Sequence, residues 1–116
     1  MKRQVAEISG RAAENRAALR LEGQGWQIID RRLKTKRGEI DLIARDGNAV
    51  VFVEVKWRRS AEQFDLAINE YRLRRVAAAA DAVAHECARS GEDLRIDVLL
   101  LAPGVEPPHI IIAWTP

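Results

Sequence analysis

The sequence predicts an α/β sandwich around a central mixed sheet, with the element order α-β-β-β-α-β-β. Two observations lead to this class: apolar runs of strand length dominate the middle and end of the chain, and two stretches with helical spacing flank the first group of strands. With 116 residues, 47% of them hydrophobic, residues 1–116 fit a single domain that can bury a core.

Two helices are predicted from apolar spacing. The first runs from about Val5 to Glu22 and stops at Gly23 or Gly25, because glycine favours the end of a helix. The second has apolar residues at helical spacing from Leu73 to Cys87 and ends by Gly91. Cys87 belongs to the apolar stripe of this helix, so we expect a core residue and no nucleophile.

Three strands are predicted outside the central hairpin. Trp26 to Arg31 is the first, Arg95 to Leu101 follows the second helix, and His109 to Trp114 closes the chain. A strand-helix-strand crossover places Arg95 to Leu101 parallel to the strand before the helix. The apolar run Ile110 to Ile112 is a candidate exposed edge, and we expect that it supports a symmetric homodimer.

A β-hairpin is the most informative feature. Gly38 to Arg45 and Val50 to Lys56 are rich in β-branched and apolar residues, and Asp46-Gly47-Asn48 between them tolerates the backbone of a tight turn. A loop at Gly47-Asn48 sets Asp41 opposite Glu54, and a loop at Asp46-Gly47 keeps the two on one face. The predicted faces are Glu39, Asp41, Ile43, Phe52, Glu54 and Lys56 on one side and Ile40, Leu42, Ala44, Val51, Val53 and Val55 on the other.

The two facing carboxylates of this hairpin predict a metal site. Asp41 and Glu54 repel each other unless a cation lies between them, and hard oxygen ligands suit Mg²⁺ or Mn²⁺. Lys56 can place its ammonium beside a developing phosphoryl charge. The alternative is an exposed strand face with ordinary Glu/Lys pairs.

These residues resemble a known family. Asp41 followed by Glu54-Val55-Lys56 resembles the D…ExK core of the PD-(D/E)XK nuclease superfamily. Gly38 to Ile43 with Val51 to Lys56, preceded by Ala13-Glu14, is similar to the YraN family of uncharacterised bacterial proteins, whose fold is related to archaeal Holliday junction resolvases. The similarity extends roughly from Gly10 to Trp114.

The resemblance implies a restriction-endonuclease-like fold and a Mg²⁺- or Mn²⁺-dependent endodeoxyribonuclease acting on DNA, including branched or junction DNA. In that reading Asp41, Glu54 and the helix residue Glu14 are metal ligands, the carbonyl of Val55 adds a ligand, and Lys56 is the catalytic lysine. The alternative is a nucleic-acid-binding or interaction module that keeps the fold without catalysis.

Glu14 also stands out in the residue pattern, because it shares a mostly apolar helical stripe with Ala17 and Leu21. A glutamate there needs a partner, which is a metal or, alternatively, water or a nearby arginine. The sequence departs from the family pattern at Arg32, where an asparagine is expected, and at Arg72, where a lysine is expected.

Basic residues flank the hairpin. Five of the seven residues 31–37 are Lys or Arg, and two more follow the second hairpin strand. Hairpin pairing brings both groups to one end of the sheet, where they could hold phosphates, although a solvated charged loop is the alternative. The candidate nucleic-acid-binding residues are Arg31, Arg32, Lys34, Lys36, Arg37, Arg58 and Arg59.

The remaining features limit the class of protein. Cys87 is the single cysteine, which excludes an internal disulfide, and no apolar run approaches membrane-spanning length. We therefore expect a cytoplasmic protein with no membrane partner. The formal net charge of +2 is mild, so a DNA partner rests on local charge. For Asp97 we expect a structural ion pair with a basic residue of the second helix.

Overall fold

The computed structural model describes residues 10–60, 62, 70–104 and 109–112. These residues form helices and strands in the predicted order, and the α/β class with a mixed sheet is confirmed. The elements are α1 (Gly10–Gly23), β1 (Gln27–Thr35), β2 (Gly38–Asp46), β3 (Ala49–Trp57), α2 (Glu70–Cys87), β4 (Asp93–Leu101) and β5 (His109–Ile112).

The boundaries differ from the prediction mainly in β1. This strand continues beyond Arg31 to Thr35, because Leu33, Lys34 and Thr35 still pair with β2. The basic run that follows Arg31 is therefore largely strand. The first part of the predicted N-terminal helix, residues 5–9, and the predicted strand end, residues 113–114, lie outside the described residues.

The sheet has the order β1-β2-β3-β4-β5. The pairs β1/β2, β2/β3 and β4/β5 are antiparallel, whereas β3 and β4 are parallel, which confirms the crossover prediction. Within the described ranges β5 is an edge strand. Neither described helix combines the length and hydropathy that crossing a membrane requires.

The hairpin turn forms at Gly47-Asn48, the first of the two predicted loops. Asp46 pairs with Ala49, and Gly47 has φ +58°, a backbone conformation that favours glycine. The predicted register then holds as far as the pair Leu42 and Val53.

Each face of the sheet is covered by one helix. The α1 core contains Ala17 and Leu21 of the helix, and the α2 core contains Ala79 and Ala80. Two covered faces explain why six consecutive residues of β3, 50–55, are all buried. The sheet residues against α1 include Leu42, Ala44, Val51, Val53, Val55 and Leu99, and those against α2 include Ile40, Ile43, Val50, Phe52 and Ile96.

The alternation of side chains slips by one residue in the middle of β2. Ile40 packs with Ile43 on the α2 side, while Leu42 packs on the α1 side. The prediction that Ile40 shares a face with Leu42 is therefore wrong, because strict alternation assumes a regular pleat, and the alternation is irregular between these residues, opposite the positive φ of Arg32. Asp41 lies at this irregularity.

An ion-pair network joins β4 to Asp46, the last residue of β2. Asp97 is fully buried and accepts hydrogen bonds from Arg95 at 2.9 and 3.0 Å, and Arg95 also contacts Asp46 at 3.2 Å. The guanidinium of Arg95 lies over the ring of Trp26. Asp97 thus has the structural ion pair that was expected, but the prediction of its partner is wrong: Arg95 belongs to β4 itself and not to the second helix.

Candidate functional site

Asp41 is held in place by a backbone group of the neighbouring strand. Its Oδ2 atom accepts a hydrogen bond from the N–H of Val55 at 2.8 Å. In a regular antiparallel ladder that N–H would be donated to a backbone carbonyl, so the carboxylate takes the place of a backbone acceptor. The irregularity of β2 thus fixes the position of a functional candidate.

The surroundings of Asp41 disfavour its charged form. Burial, a hydrogen-bond contact with Glu54 and the negative charge of Glu54 together raise the pKa of Asp41 to about 8, although the Val55 N–H opposes this. Without a cation, Asp41 and Glu54 therefore hold a shared proton to higher pH than an isolated aspartate does. A divalent cation would displace that proton.

Glu14 comes from α1 and reaches the same place. It is only 6% exposed, although it sits beside the alanine stripe by which α1 packs on the sheet. Burial raises the pKa of Glu14, and the Arg32 guanidinium counteracts the rise. Arg32 Nη1 donates a hydrogen bond to Glu14 Oε1 at 3.3 Å. The arginine partner considered for Glu14 is thus present, and Glu14 also lies beside Asp41, while its role as a metal ligand stays a prediction.

Three carboxyl groups converge here. One oxygen each of Glu14, Glu39 and Asp41 lies within 4.8 Å of the others. Glu39 was not among the residues predicted for the site, although its spacing of two from Asp41 on one strand was the signal that could have identified it. Such a spacing of acidic oxygens is compatible with one shared cation.

Glu54 and Lys56 extend the cluster across to β3. Lys56 Nζ lies 3.2 Å from Glu54 Oε2, and Glu54 is 8% exposed. Glu54 in turn contacts Asp41. The four residues that the sequence singled out, Asp41, Glu54, Lys56 and Glu14, are therefore connected through Asp41, with Glu39 as a fifth member.

Arg32 has an unusual backbone. Its φ is +52°, and among the described residues it is the only one other than glycine with a positive φ. It lies between the pairs Arg31 with Leu42 and Leu33 with Ile40, so it faces Asp41 across β1 and β2. An arginine in the left-handed region costs about 1 kcal/mol or more, and such strain concentrates at functional sites.

The predicted basic patch is divided between the two sides of the sheet. Arg31 donates a hydrogen bond to Asn15 Oδ1 of α1 at 2.9 Å, and Arg32 contacts Glu14, so both lie on the α1 side. The other three cations of this run line a cavity of about 640 Å³ against α2. Its lining residues are Lys34, Thr35, Lys36, Arg37, Ala82 and Val83.

The cations after β3 lie at the end of the sheet that the prediction gave them. Arg58 follows Trp57 directly, and its N–H donates to the carbonyl of Leu101 at 2.9 Å. Its guanidinium donates to the carbonyl of Trp57 at 2.7 Å. Arg59 is exposed. The turn between β1 and β2 is at the same end, because Thr35 pairs with Gly38 there.

Two arginines of α1 add to the positive charge around the carboxylates and were not predicted. Arg11 is close enough to lower the pKa of Glu14 by its charge. Arg16 lies over the ring of Trp57, 5.7 Å from its centroid. Whether these arginines lie near the site depends on how α1 packs across the sheet, which cannot be derived from the sequence alone.

Two further predictions concern Val55 and Cys87. The N–H of Val55 holds Asp41, and its side chain is in the α1 core; the predicted role of its carbonyl as a metal ligand stays a prediction. Cys87 packs beside the α2 core, as expected, and burial raises the pKa of its thiol. A raised pKa disfavours the nucleophilic thiolate.

Comparisons with known proteins give a consistent family. Residues 13–101 match the family described as Uncharacterised protein family UPF0102. The chain is 62% identical over its full length, and the full length of the relative, to a UPF0102 protein of Erythrobacter litoralis. It is 53% identical, again over both full lengths, to one of Sphingopyxis alaskensis. To one of Rhizorhabdus wittichii it is 49% identical, covering 97% of this chain and 96% of the relative.

Proposed function

We propose that this chain, which belongs to the UPF0102 family, is a divalent-metal-dependent nuclease that hydrolyses phosphodiester bonds in DNA. The family description assigns no activity, so the proposal rests on the site. It includes membership of the PD-(D/E)XK nuclease superfamily, with Asp41 and Glu54-Val55-Lys56 as its motif. The protein would work in the cytoplasm, where a single cysteine stays reduced.

The observation that carries the proposal is the convergence of carboxyl groups from three separate elements. Glu14 comes from α1, Glu39 and Asp41 come from β2, and Glu54 of β3 contacts Asp41. Carboxyl groups packed this closely, two of them buried, destabilise the fold unless they share a proton or a cation. Lys56 beside Glu54 adds the cation that phosphoryl chemistry uses.

The donor set fits Mg²⁺ or Mn²⁺. The candidate side-chain ligands are all carboxylates, whose oxygens these hard cations prefer, and burial together with the nearby Glu54 raises the pKa of Asp41. Asp41, Glu14 and Glu54 would hold the cation, with Glu39 close by and the Val55 carbonyl as a further ligand. When bound, it would neutralise these carboxylates and polarise a phosphoryl oxygen.

The protein's own residues would position the substrate. Lys56 is held by Glu54 at 3.2 Å, so its ammonium is directed at the edge of the acidic cluster, where it would stabilise charge developing on the phosphate. Hydrolysis adds water to phosphorus and breaks a P–O bond, and the leaving oxygen takes up a proton. The buried Asp41 would keep its orientation throughout, because the Val55 N–H holds it.

DNA is the proposed substrate because cations surround the acids. Arg32 contacts Glu14, Arg11 acts on Glu14 through its charge, and Arg31 contacts Asn15, the neighbour of Glu14 on α1. Arg16 and Arg58 contact Trp57 at the end of β3, and the Lys34 to Arg37 turn adds a second group on the α2 side. Phosphate contacts of this kind supply most of the affinity for a nucleic acid and little sequence preference. Junction or other branched DNA, which offers backbone on two sides, is the favoured form.

A second candidate is a nucleic-acid-binding module without catalysis. The observation that favours it is internal neutralisation: Glu14 is paired with Arg32 and Glu54 with Lys56. In this case the acids would fix the basic residues in place and would not bind metal.

One experiment separates the two candidates. Purified protein is incubated with junction, flap, single-stranded and duplex DNA in Mg²⁺, in Mn²⁺ and in a chelator, beside the Asp41→Asn variant and an Asp81→Asn control on the exposed face of α2. If the protein is a nuclease, it cleaves at least one of these substrates and does so only when a divalent cation is present. Asp41→Asn then abolishes cleavage, whereas Asp81→Asn retains it. Binding without cleavage in every condition favours the module.

We also propose a homodimer formed through the edge of the sheet. β5 is four residues long and pairs with β4 on one side. No strand of the described part of the chain pairs with its other side, which is therefore available to a second copy of the protein. Light scattering at high micromolar concentration tests this assembly, and a monomer there contradicts it.

A further inference from the structure

We infer that Arg32 is a displaceable internal cation that links metal binding to phosphate binding. Without a divalent ion it neutralises Glu14, and when the ion takes Glu14 the guanidinium is released to bind a phosphate of the nucleic acid. The inference rests on the proposed function and adds a positioning residue, with a coupling, that the D…ExK motif does not contain.

The geometry gives Arg32 two competing environments. Its guanidinium contacts Glu14 at 3.3 Å, and the side chain of Glu14 is 8% exposed while that of Arg32 is 40% exposed. One end of the ion pair is therefore buried and the other is open to solvent and to a ligand. A guanidinium with five donors can leave one acceptor and engage a phosphate bidentately.

The backbone at Arg32 shows that the position is imposed by its surroundings. A φ of +52° is unfavourable for arginine, yet it occurs at the rung of β1 that faces Asp41. An exposed arginine that served only solubility would gain nothing from this conformation. This backbone conformation places the side chain of Arg32 on the α1 side, where it contacts Glu14. Its neighbour Arg31 also contacts α1, at Asn15, whereas Leu33 packs against the α2 core.

Charge competition makes the pair displaceable. Glu14, Glu39 and Asp41 share one small space, and a divalent cation there would repel the guanidinium that contacts Glu14. Metal and Arg32 thus compete for one carboxylate, while the released Arg32 strengthens phosphate binding. By linkage, metal tightens DNA binding and DNA tightens metal binding by the same factor.

The test measures both halves of the coupling with three proteins. Arg32→Asn removes the charge, and asparagine tolerates the positive φ at this position. Arg32→Gly also tolerates that φ and leaves no side chain that could act as a new metal ligand. Arg31→Gln is the control, because it removes a neighbouring charge that is hydrogen-bonded to the amide of Asn15. Mn²⁺ binding is measured by calorimetry without nucleic acid. Binding of a labelled DNA junction is then measured in chelator and in Mn²⁺, in a Lys56→Ala background that suppresses cleavage.

We expect both Arg32 variants to bind Mn²⁺ at least about fivefold more tightly than the wild type, and to lose most of the gain in DNA affinity that Mn²⁺ gives, since couplings are commonly 5-fold or more. Arg31→Gln keeps that gain. Unchanged or weaker Mn²⁺ binding by the Arg32 variants, or an unchanged gain, overturns the inference and leaves the metal site intact. If the wild type binds no Mn²⁺, the proposed function itself fails.

Discussion

Asp41 Oδ2 accepts the backbone N–H of Val55 at 2.8 Å, at a point where β2 and β3 no longer pair residue by residue. The sheet thus replaces a backbone acceptor with a carboxylate, and the motif residues Glu54 and Lys56 lie on either side of the donor. One hydrogen bond therefore connects Asp41 with the Glu54-Val55-Lys56 segment and holds its carboxylate within the acidic cluster.

The stability of the metal-free protein should fall as pH rises. The folded-state pKa of Asp41 is about 8, above its ordinary value of 3.8, so the unfolded chain loses this proton first. The stabilisation is complete below about pH 4 and is lost progressively as pH rises to about 8. Chemical denaturation in chelator across this window measures it, and we expect Asp41→Asn to be at least about 1 kcal/mol more stable than the wild type at pH 8.

The control for this pH dependence is Asp81→Asn, which removes an exposed carboxylate of α2. It should follow the wild-type curve. If Asp41→Asn has the same pH dependence as the wild type, the pKa of Asp41 in the folded protein is ordinary and its surroundings do not disfavour its charged form.

Glu39 should contribute to metal binding although the motif omits it. Its carboxyl oxygen lies within 4.8 Å of those of Glu14 and Asp41, and it is exposed, so it can turn toward a cation at little cost. We expect Glu39→Gln to weaken Mn²⁺ binding by roughly tenfold, the lower end of the effect of losing a residue that supports a metal site. Asp41→Asn should abolish the binding measured by calorimetry.

The comparison that decides the role of Glu39 is with Glu22→Gln, which removes an exposed glutamate at the end of α1. Equal Mn²⁺ affinities for these two variants would mean that Glu39 acts only through general charge.

The sequence allowed much of the fold to be predicted, because turn residues and apolar runs act locally. Gly47-Asn48 formed the turn, and the helix between β3 and β4 required a parallel crossover. The slip in β2 could not be predicted, since alternation assumes a regular pleat, and Ile40 was placed on the wrong face. The asparagine that the resemblance led us to expect at position 32 would suit this backbone, because asparagine tolerates the positive φ observed there.

The site was only partly predictable for a related reason. Asp41, Glu54 and Lys56 are close in a hairpin, and their contact follows from its register. The proximity of Glu14 and Glu39 depends on how α1 packs across the sheet, which no local pattern encodes. The basic residues 31–37 lie on two sides of the sheet because β1 continues to Thr35, so that Lys34 to Arg37 lie against α2.

DNA binding should depend on salt through both basic groups. Neutralising Lys34, Lys36 and Arg37 together to Gln should reduce the slope of log affinity against log salt by roughly 3, because each lost phosphate contact removes about 0.9. Arg31→Gln should reduce it by about 1. These slopes are measured by titrating a labelled junction at several salt concentrations.

Arg89→Gln is the matched control, because Arg89 is exposed near the end of the sheet that holds the Arg45 and Glu92 ion pair. It should leave the slope unchanged. A triple variant whose slope equals that of the control would assign the turn between β1 and β2 to solvent, and DNA contact would then be confined to the α1 side.

Lys56 should matter for cleavage far more than for binding. Its ammonium is 3.2 Å from Glu54 and largely buried, so it is held beside the acidic cluster and has little surface for long-range attraction of DNA. If it stabilises charge that develops on the phosphate, Lys56→Ala should reduce the cleavage rate at least about a hundredfold while DNA affinity changes little. Single-turnover cleavage and equilibrium binding, measured on the same junction, separate the two effects.

Two companions make this result interpretable. Glu54→Gln should lose cleavage as well, but through weaker Mn²⁺ binding, which calorimetry detects and Lys56→Ala should not share. Lys56→Arg keeps the charge with a different shape, so partial recovery of the rate would assign the role to charge. Cleavage that survives both Lys56→Ala and Glu54→Gln would exclude the proposed site, because the proposed reaction requires both of these residues beside Asp41.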